Sequence, residues 1–165
     1  ELDMILPPSH FGGAHQPVTT PENTMTPDPD LHPEFYEAVP SKRLFAWVID
    51  MVAITGMALL IVPFTAFTGL FFFPLLYLLV SFCYRVVTLA RGSATWGMRF
   101  MSIELRTRDD APFDLQTAVL HTLGFSLSFG VFIVQIASMV LMLTTERRQG
   151  LTDLVLGTVA LNRRS

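Results

Sequence analysis

The stretch LFAWVIDMVAITGMALLIVPFTAF, residues 44–67, decides the fold class of this protein. It is a continuous apolar run interrupted by one charged residue, Asp50, and its length suits a helix that crosses a hydrocarbon core of about 30 Å. A second apolar run, GLFFFPLLYLLVSFCYRVVTLA at residues 69–90, follows after almost no break. The two runs predict an antiparallel hairpin of transmembrane helices.

A third apolar block, LQTAVLHTLGFSLSFGVFIVQIASMVLML, occupies residues 115–143 and admits two structures. A short hairpin, bent around Gly124 to Gly130, would return the chain to the side from which it came, whereas a single span would not. We favour the hairpin because a single span would place the four arginines of residues 144–165 outside the cytoplasm. The hairpin would also bring two strand-like pieces, MSIELRT and GTVALN, to the same side, where they could pair. The predicted fold class is therefore an all-α integral membrane protein with possible short β pairing.

Charge divides the chain into an acidic part and a basic part. Residues 1–40 carry seven acids, contain no lysine or arginine, and are rich in proline and threonine. Such a segment cannot bury enough apolar surface to offset its ordering entropy, so it predicts an extended acidic tail that docks on a partner. Phe35 and Tyr36, at the end of this tail, are the aromatic residues expected to contact headgroups or the partner.

The basic residues flank the apolar runs, while the connection between the first two runs has no charge. The flanking bases are Lys42, Arg43, Arg91, Arg99, Arg106, Arg108, Arg147, Arg148, Arg163 and Arg164. The positive-inside rule therefore predicts that the N-terminus, the central loop and the basic tail, residues 144–165, all lie in the cytoplasm. That arrangement requires an even number of crossings by a membrane domain that spans residues 41–161.

Asp50 is the clearest candidate for a functional group. A carboxylate inside a span costs about 2.5–3.5 kcal/mol on insertion scales, so it is expected to have a partner. Arg85, at a similar depth in the second run, is the predicted partner. The pair is either a salt bridge that fixes helix register or part of a proton or cation site. A second acid, Asp153, either meets Arg43 or Arg99, or caps a helix or turn.

The segment RGSATWGMR, residues 91–99, has the glycine spacing of a phosphate-binding loop but not its Lys-Ser/Thr pair. We interpret it as part of an amphipathic interfacial segment. Arg91 and Arg99 are predicted to face lipid phosphates, and the residues predicted to face lipid chains are Trp96, Met98 and Phe100. The residues assigned to this interfacial loop are Arg91, Gly92, Thr95, Trp96, Gly97 and Arg99.

The residue pattern does not support metal binding, enzymatic catalysis or nucleic-acid binding. The four histidines lack metal-ligand spacing, and no nucleophile–base arrangement is visible, so we predict neither a metal, nor a cofactor, nor an enzymatic activity. The basic residues lie at membrane boundaries, which argues against nucleic-acid binding.

Three segments together resemble the RDD family of bacterial membrane proteins, and the resemblance covers residues 41–161. They are SKRLFAWVID, RGSATWGMRFMSIELRTRDDAPFD and RRQGLTDLVLGTVAL. The family is named for an arginine and two aspartates, which correspond to Arg43, Asp50 and Asp153. Its central loop typically reads G-x-T-x-G-K-R, and here Met98 replaces the lysine. His121 stands about where the family often has an arginine. The resemblance implies a bacterial inner-membrane protein, with ion or proton exchange proposed for some members.

Two functions are compatible with these features. The first is a small non-enzymatic accessory or assembly subunit of a larger inner-membrane complex. The second is an oligomeric ion or proton transporter that uses Asp50. We favour the first, because two to four short helices can hardly enclose a transport path alone. The expected partners are the lipid bilayer and either another protein or further copies of this chain.

Overall fold

The structure is a computed structural model that describes residues 26–164. The predictions for the acidic tail before residue 26 lie outside the described residues. The helices are α1 (Val39–Phe64), α2 (Phe73–Gly92), α3 (Trp96–Phe100), α4 (Leu115–Gly130), α5 (Phe132–Thr144) and α6 (Leu151–Leu156). The strands are β1 (Ile103–Thr107) and β2 (Thr158–Asn162), and single turns of 3₁₀ helix lie at Pro33–Phe35 and Thr68–Leu70.

Two helical segments, Pro33–Phe64 and Phe73–Gly92, are long and apolar enough to cross a membrane. Of their most apolar stretches, 28% and 22% are buried inside the protein, so most of these side chains face outward. Helices α4 and α5 together form a third such segment, which is sharply bent. The structure confirms the predicted class at this level: the protein is mainly helical, and its apolar helices are compatible with a membrane.

The connection between α1 and α2 is longer than predicted, because prolines set both helix ends. Pro63 lies in the last turn of α1, and the chain leaves helical geometry at Ala66 and Phe67, which have positive φ angles. Pro74 occupies the first turn of α2, where its missing N–H costs nothing. The predicted bounds 44–67 and 69–90 were therefore wrong at the turn, where residues 65–72 connect the helices.

The third apolar block is two helices rather than one. The axes of α4 and α5 differ by 116°, and Val131 between them is extended, with φ −115° and ψ 100°. The predicted bend is therefore present, at the C-terminal end of the expected interval. A continuous straight helix over residues 115–143 is excluded.

The two predicted strands pair. β1 and β2 form an antiparallel sheet in which Ile103 faces Asn162 and Leu105 faces Ala160. Ile103 and Leu105 are fully buried, and they share a core with side chains of α1, α2 and β2, namely Val39, Leu89 and Ala160. The tightly packed core therefore lies around the sheet, where α1 begins and α2 ends.

The residues expected to bind a partner, Phe35 and Tyr36, pack instead against the sheet. Tyr36 is only 4% exposed, and its hydroxyl donates a hydrogen bond to the carbonyl oxygen of Pro27 at 2.6 Å. Its ring packs with Val159 and Leu161, and Phe35 covers the same cluster. The ring and the hydroxyl of Tyr36 are therefore used within the chain, and a partner-binding role for Phe35 and Tyr36 stays a prediction.

Candidate functional site

Asp50 is held by three donors from elsewhere in the chain. It lies in α1 and is 1% exposed. Its Oδ1 accepts hydrogen bonds from the Tyr84 hydroxyl at 2.6 Å and from the Gly97 amide at 2.8 Å. Its Oδ2 accepts one from the Thr95 hydroxyl at 2.6 Å. Hydrogen bonds to a charged acceptor are the strong kind, so this carboxylate ties α1 to α2 and to the start of α3.

The loop before α3 is built to receive that carboxylate. Thr95 is the N-cap of α3: its hydroxyl oxygen accepts from the Met98 amide at 3.2 Å while its proton goes to Asp50. Gly97 must lack a side chain, since a Cβ there would lie 2.9 Å from Oδ1 of Asp50 and overlap the carbonyl group of Ala46. The glycine and threonine of the central motif therefore form a clamp around Asp50.

The predicted ion pair between Asp50 and Arg85 is wrong. No salt bridge joins them among residues 26–164, and the neighbouring Tyr84 takes the contact instead. Two residues at the same depth in neighbouring helices need not face each other, because the side chains of successive helical residues point about 100° apart. The guanidinium carbon of Arg85 lies 4.3 Å from the ring centroid of Phe125 in α4.

Asp153, in α6, is the centre of a second cluster. Its Oδ2 receives hydrogen bonds from Arg43 and, at 3.1 Å, from the Gly150 amide. Its Oδ1 lies 2.9 Å from Nε2 of His121 and 3.1 Å from the Thr158 hydroxyl. The prediction that Asp153 meets Arg43 is confirmed, and the capping role holds as well. Burial by itself would raise the pKa of Asp153, but the Arg43 charge and the His121 contact hold that pKa well below its ordinary value.

Only part of the central loop faces outward, as an interfacial loop would. Trp96 is 54% exposed and meets the Tyr84 ring edge-on, with 5.6 Å between centroids. Met98, predicted to face lipid, is buried in the core beside the sheet. The prediction was wrong for Met98 because the clamp on Asp50 turns this side of α3 inward.

The basic residues of the loop lie on its outer side. Arg91 and Arg99 are exposed, and the Arg99 guanidinium lies over Gly92, where a Cβ would come within 3.2 Å of its central carbon. Neither side chain makes a salt bridge with another described residue, so both are free to meet an external anion. Arg99 therefore does not contact Asp153, the alternative that the sequence left open.

A cavity of about 480 Å³ lies between the two carboxylate clusters, with walls from α1, α2, α4, α5 and α6. Asp50, Arg85, His121 and Asp153 contribute to its lining, together with many apolar side chains. Within residues 26–164, no group of three or more His, Cys, Asp or Glu residues is placed to hold a metal ion. The arrangement is thus a partly charged cavity whose two carboxylates are already bound by donors of the chain.

Sequence reasoning missed two donors of these clusters, Tyr84 and Thr158. Tyr84 and Thr88 are polar residues four apart in an apolar run, the spacing of one buried helix face, and both are buried. That spacing was a usable signal for a polar contact with α1. Thr158 offered no comparable signal, because its position follows from the turn at Gly157.

Comparison with known proteins places these clusters in a family. No curated protein and no solved structure shows significant similarity to the chain. A family model does match: it describes the RDD family, and the match covers residues 38–157. This interval contains Arg43, Asp50 and Asp153, and also the loop that clamps Asp50. Because the match covers well over half of the sequence, the chain belongs to the RDD family.

Proposed function

We propose that this chain is a small non-enzymatic accessory or assembly subunit of a larger complex in the bacterial inner membrane. The observation that supports this role best is that both carboxylate oxygens of Asp50 accept hydrogen bonds from within the chain, donated by Tyr84, Thr95 and Gly97. A carrier carboxylate must release its ligands to load and unload an ion. A carboxylate with three short internal hydrogen bonds is instead suited to holding helices and a loop in one arrangement.

The proposed docking surface is an aromatic cluster at the turn between α1 and α2, formed by Phe64, Phe67, Phe71 and Phe72. These four rings are 64–89% exposed. Aromatic side chains, phenylalanine included, are enriched at the cores of protein–protein interfaces. We therefore expect this cluster to insert between apolar helices of a membrane-embedded partner.

The proposed topology follows the basic residues. Helices α1 and α2 form an antiparallel transmembrane hairpin, with the aromatic cluster at its non-cytoplasmic end and the sheet, α3 and the basic tail in the cytoplasm. The N-terminus is then also cytoplasmic, and the protein crosses the membrane several times.

Purification from native membranes tests the accessory role. We expect a tagged chain, extracted in a mild detergent, to migrate with a partner at a fixed stoichiometry. The double variant Phe71→Ala/Phe72→Ala should lose that partner while its helix content is unchanged. The matched control is Leu78→Ala/Leu79→Ala, two exposed residues of α2 away from the turn, which should keep the partner. Isolation of the parent as a homo-oligomer would contradict the proposal.

The second candidate is an oligomeric ion or proton transporter, and the cavity beside Asp50 and Asp153 is the observation that favours it. Proteoliposomes with an internal pH-sensitive dye distinguish the two candidates when an inward Na⁺ or K⁺ gradient is imposed. We expect no proton movement above that of empty liposomes. Flux in the parent that is lost in Asp50→Asn but kept in Asp109→Asn, an exposed turn residue, would establish the transporter instead.

A further inference from the structure

Arg85 is a buried cation whose hydrogen-bond donors are not used by the described part of the chain. It is 7% exposed, and its Nε is buried without a hydrogen-bond partner. Among residues 26–164, no carboxylate forms a salt bridge with its guanidinium group. Its guanidinium carbon lies over the ring face of Phe125. A cation–π contact can hold the guanidinium in place, but it accepts none of its in-plane N–H donors.

Asp50, the acid of the adjoining helix α1, does not supply the missing acceptor, because it accepts hydrogen bonds from Tyr84, Thr95 and Gly97 and none from Arg85. Both of its oxygens are bound by donors at 2.6–2.8 Å. A guanidinium carries five N–H donors in a planar fork that matches a carboxylate or a phosphate. In a water-poor interior such donors need an acceptor, so this position is incomplete without one.

The cavity beside Arg85 has room for a ligand that supplies this acceptor. Its volume of about 480 Å³ lies within the range of small-molecule sites, about 300–1,000 Å³. The other ionisable groups in the lining are engaged: Arg43 and His121 bind Asp153. Arg85 is therefore the lining cation that is left to bind an incoming anion.

The rim of the cavity is apolar and faces outward. Leu44, Phe129, Met139 and Leu143 line it and are each 50–63% exposed. They belong to α1, α4 and α5, which are the apolar helices of the protein. An opening ringed by such side chains communicates with lipid chains more readily than with water. A ligand that enters here has an acidic group at one end and an alkyl chain at the other.

We propose that this cavity binds one acidic membrane amphiphile, with its phosphate or carboxylate oxygens on Arg85 and its acyl chain leaving between Leu44, Phe129 and Met139. The acid group supplies the acceptors that Arg85 lacks, and the chain fills the apolar walls. This site is independent of the proposed function, because either an accessory subunit or a transporter can carry it.

Native mass spectrometry of the detergent-solubilised protein tests the site. We expect one molecule of phosphatidylglycerol to bind at least tenfold more tightly than phosphatidylcholine with the same acyl chains. Arg85→Gln should reduce that affinity about tenfold, the value of one lost charged contact. Arg91→Gln, an exposed arginine on the same helix, should change it less than twofold.

A second variant separates binding from folding. Met139→Trp narrows the cavity without touching Arg85, and it should also abolish tight binding while leaving the thermal midpoint of the lipid-free protein unchanged. If Arg85→Gln fails to fold, this variant alone decides the test. Oleate in place of phosphatidylglycerol identifies the source of the acid group: tight binding by either amphiphile supports the site. Equal binding of both phospholipids, equal binding by Met139→Trp, or equal competition by inorganic phosphate would overturn it.

Discussion

Gly97 is the point at which the central loop comes closest to α1. A Cβ atom on this residue would lie 2.8 Å from the carbonyl carbon of Ala46 and 2.9 Å from Oδ1 of Asp50. Backbone atoms of a helix cannot move aside cheaply, so Gly97→Ala must push α3 away from Asp50 and stretch two hydrogen bonds. We expect the free energy of unfolding to fall by about 1–3 kcal/mol, measured by denaturant titration in detergent micelles followed by circular dichroism.

The matched control for that substitution is Gly56→Ala, in α1. No atom lies within 4 Å of a Cβ built on Gly56. Alanine is favoured over glycine in a helix interior by about 0.5–1 kcal/mol, so this variant should be as stable as the parent or slightly more so. Equal destabilisation by the two substitutions would show that the clamp on Asp50 does not hold α3 in place.

At the scale of elements, α6 is a helix that cannot stand alone. It has six residues, too few for stability without tertiary contacts. Through Asp153 it is joined to Arg43 of α1, to His121 of α4 and to Thr158 at the start of β2. These three contacts join α1, α4 and β2 at the carboxylate of Asp153. The stability of this end of the protein should therefore depend on the charge of Asp153.

The depressed pKa of Asp153 fixes the sign of that dependence. A carboxyl whose pKa is lower in the folded state stabilises the fold fully at pH values above its ordinary pKa of 3.8. That stabilisation is lost progressively as the pH falls from there toward the lower folded-state pKa. We expect Asp153→Asn to lose about 3 kcal/mol at neutral pH, because Arg43 loses its buried partner. The gap in thermal midpoint between parent and variant should narrow as the pH falls from about 5 toward 3.

Asp114→Asn is the control for the acid titration. Asp114 is an exposed N-cap of α4 and accepts a hydrogen bond from the Thr117 amide at 2.7 Å, a role that asparagine fills equally well. The hydrogen bond to Thr117 also lowers the pKa of this exposed carboxyl, so the variant should depart from the parent curve far less than Asp153→Asn does. A constant gap between Asp153→Asn and the parent across the acid range would contradict a stabilising charge on Asp153.

For the whole molecule, the apolar runs, the bend in the third block and the strand pairing were all predictable, because each follows from a local pattern. Alternating apolar and polar residues predicted β1. The length of each apolar run predicted how many membrane-length helices it could form. The partner of Asp50 was not predictable from depth alone, since the side chains of Tyr84 and Arg85 diverge by about 100° around α2. The clamp by Thr95 and Gly97 depends on the conformation of the loop before α3, which the spacing of apolar residues does not predict.

Strand pairing also carries the last prediction, which concerns topology. β1 precedes α4 and β2 follows α6, yet the two strands are hydrogen-bonded partners. The chain between them must therefore begin and end on one side of the bilayer, which requires an even number of crossings by α4 and α5. A single crossing would separate the strands by a hydrocarbon core of about 30 Å.

Labelling with a membrane-impermeant maleimide tests that topology in a Cys83→Ser background. We expect Asp109→Cys, in the turn after β1, and Arg163→Cys, just after β2, to react only in inside-out vesicles. Thr68→Cys, in the turn between α1 and α2, should react only in right-side-out vesicles, since in the proposed topology α1 and α2 each cross once. All three positions are exposed in the structure, and detergent-permeabilised vesicles control for their reactivity. Labelling of Asp109→Cys and Arg163→Cys from opposite sides is incompatible with the β1–β2 sheet, because paired strands cannot lie on both faces of one membrane.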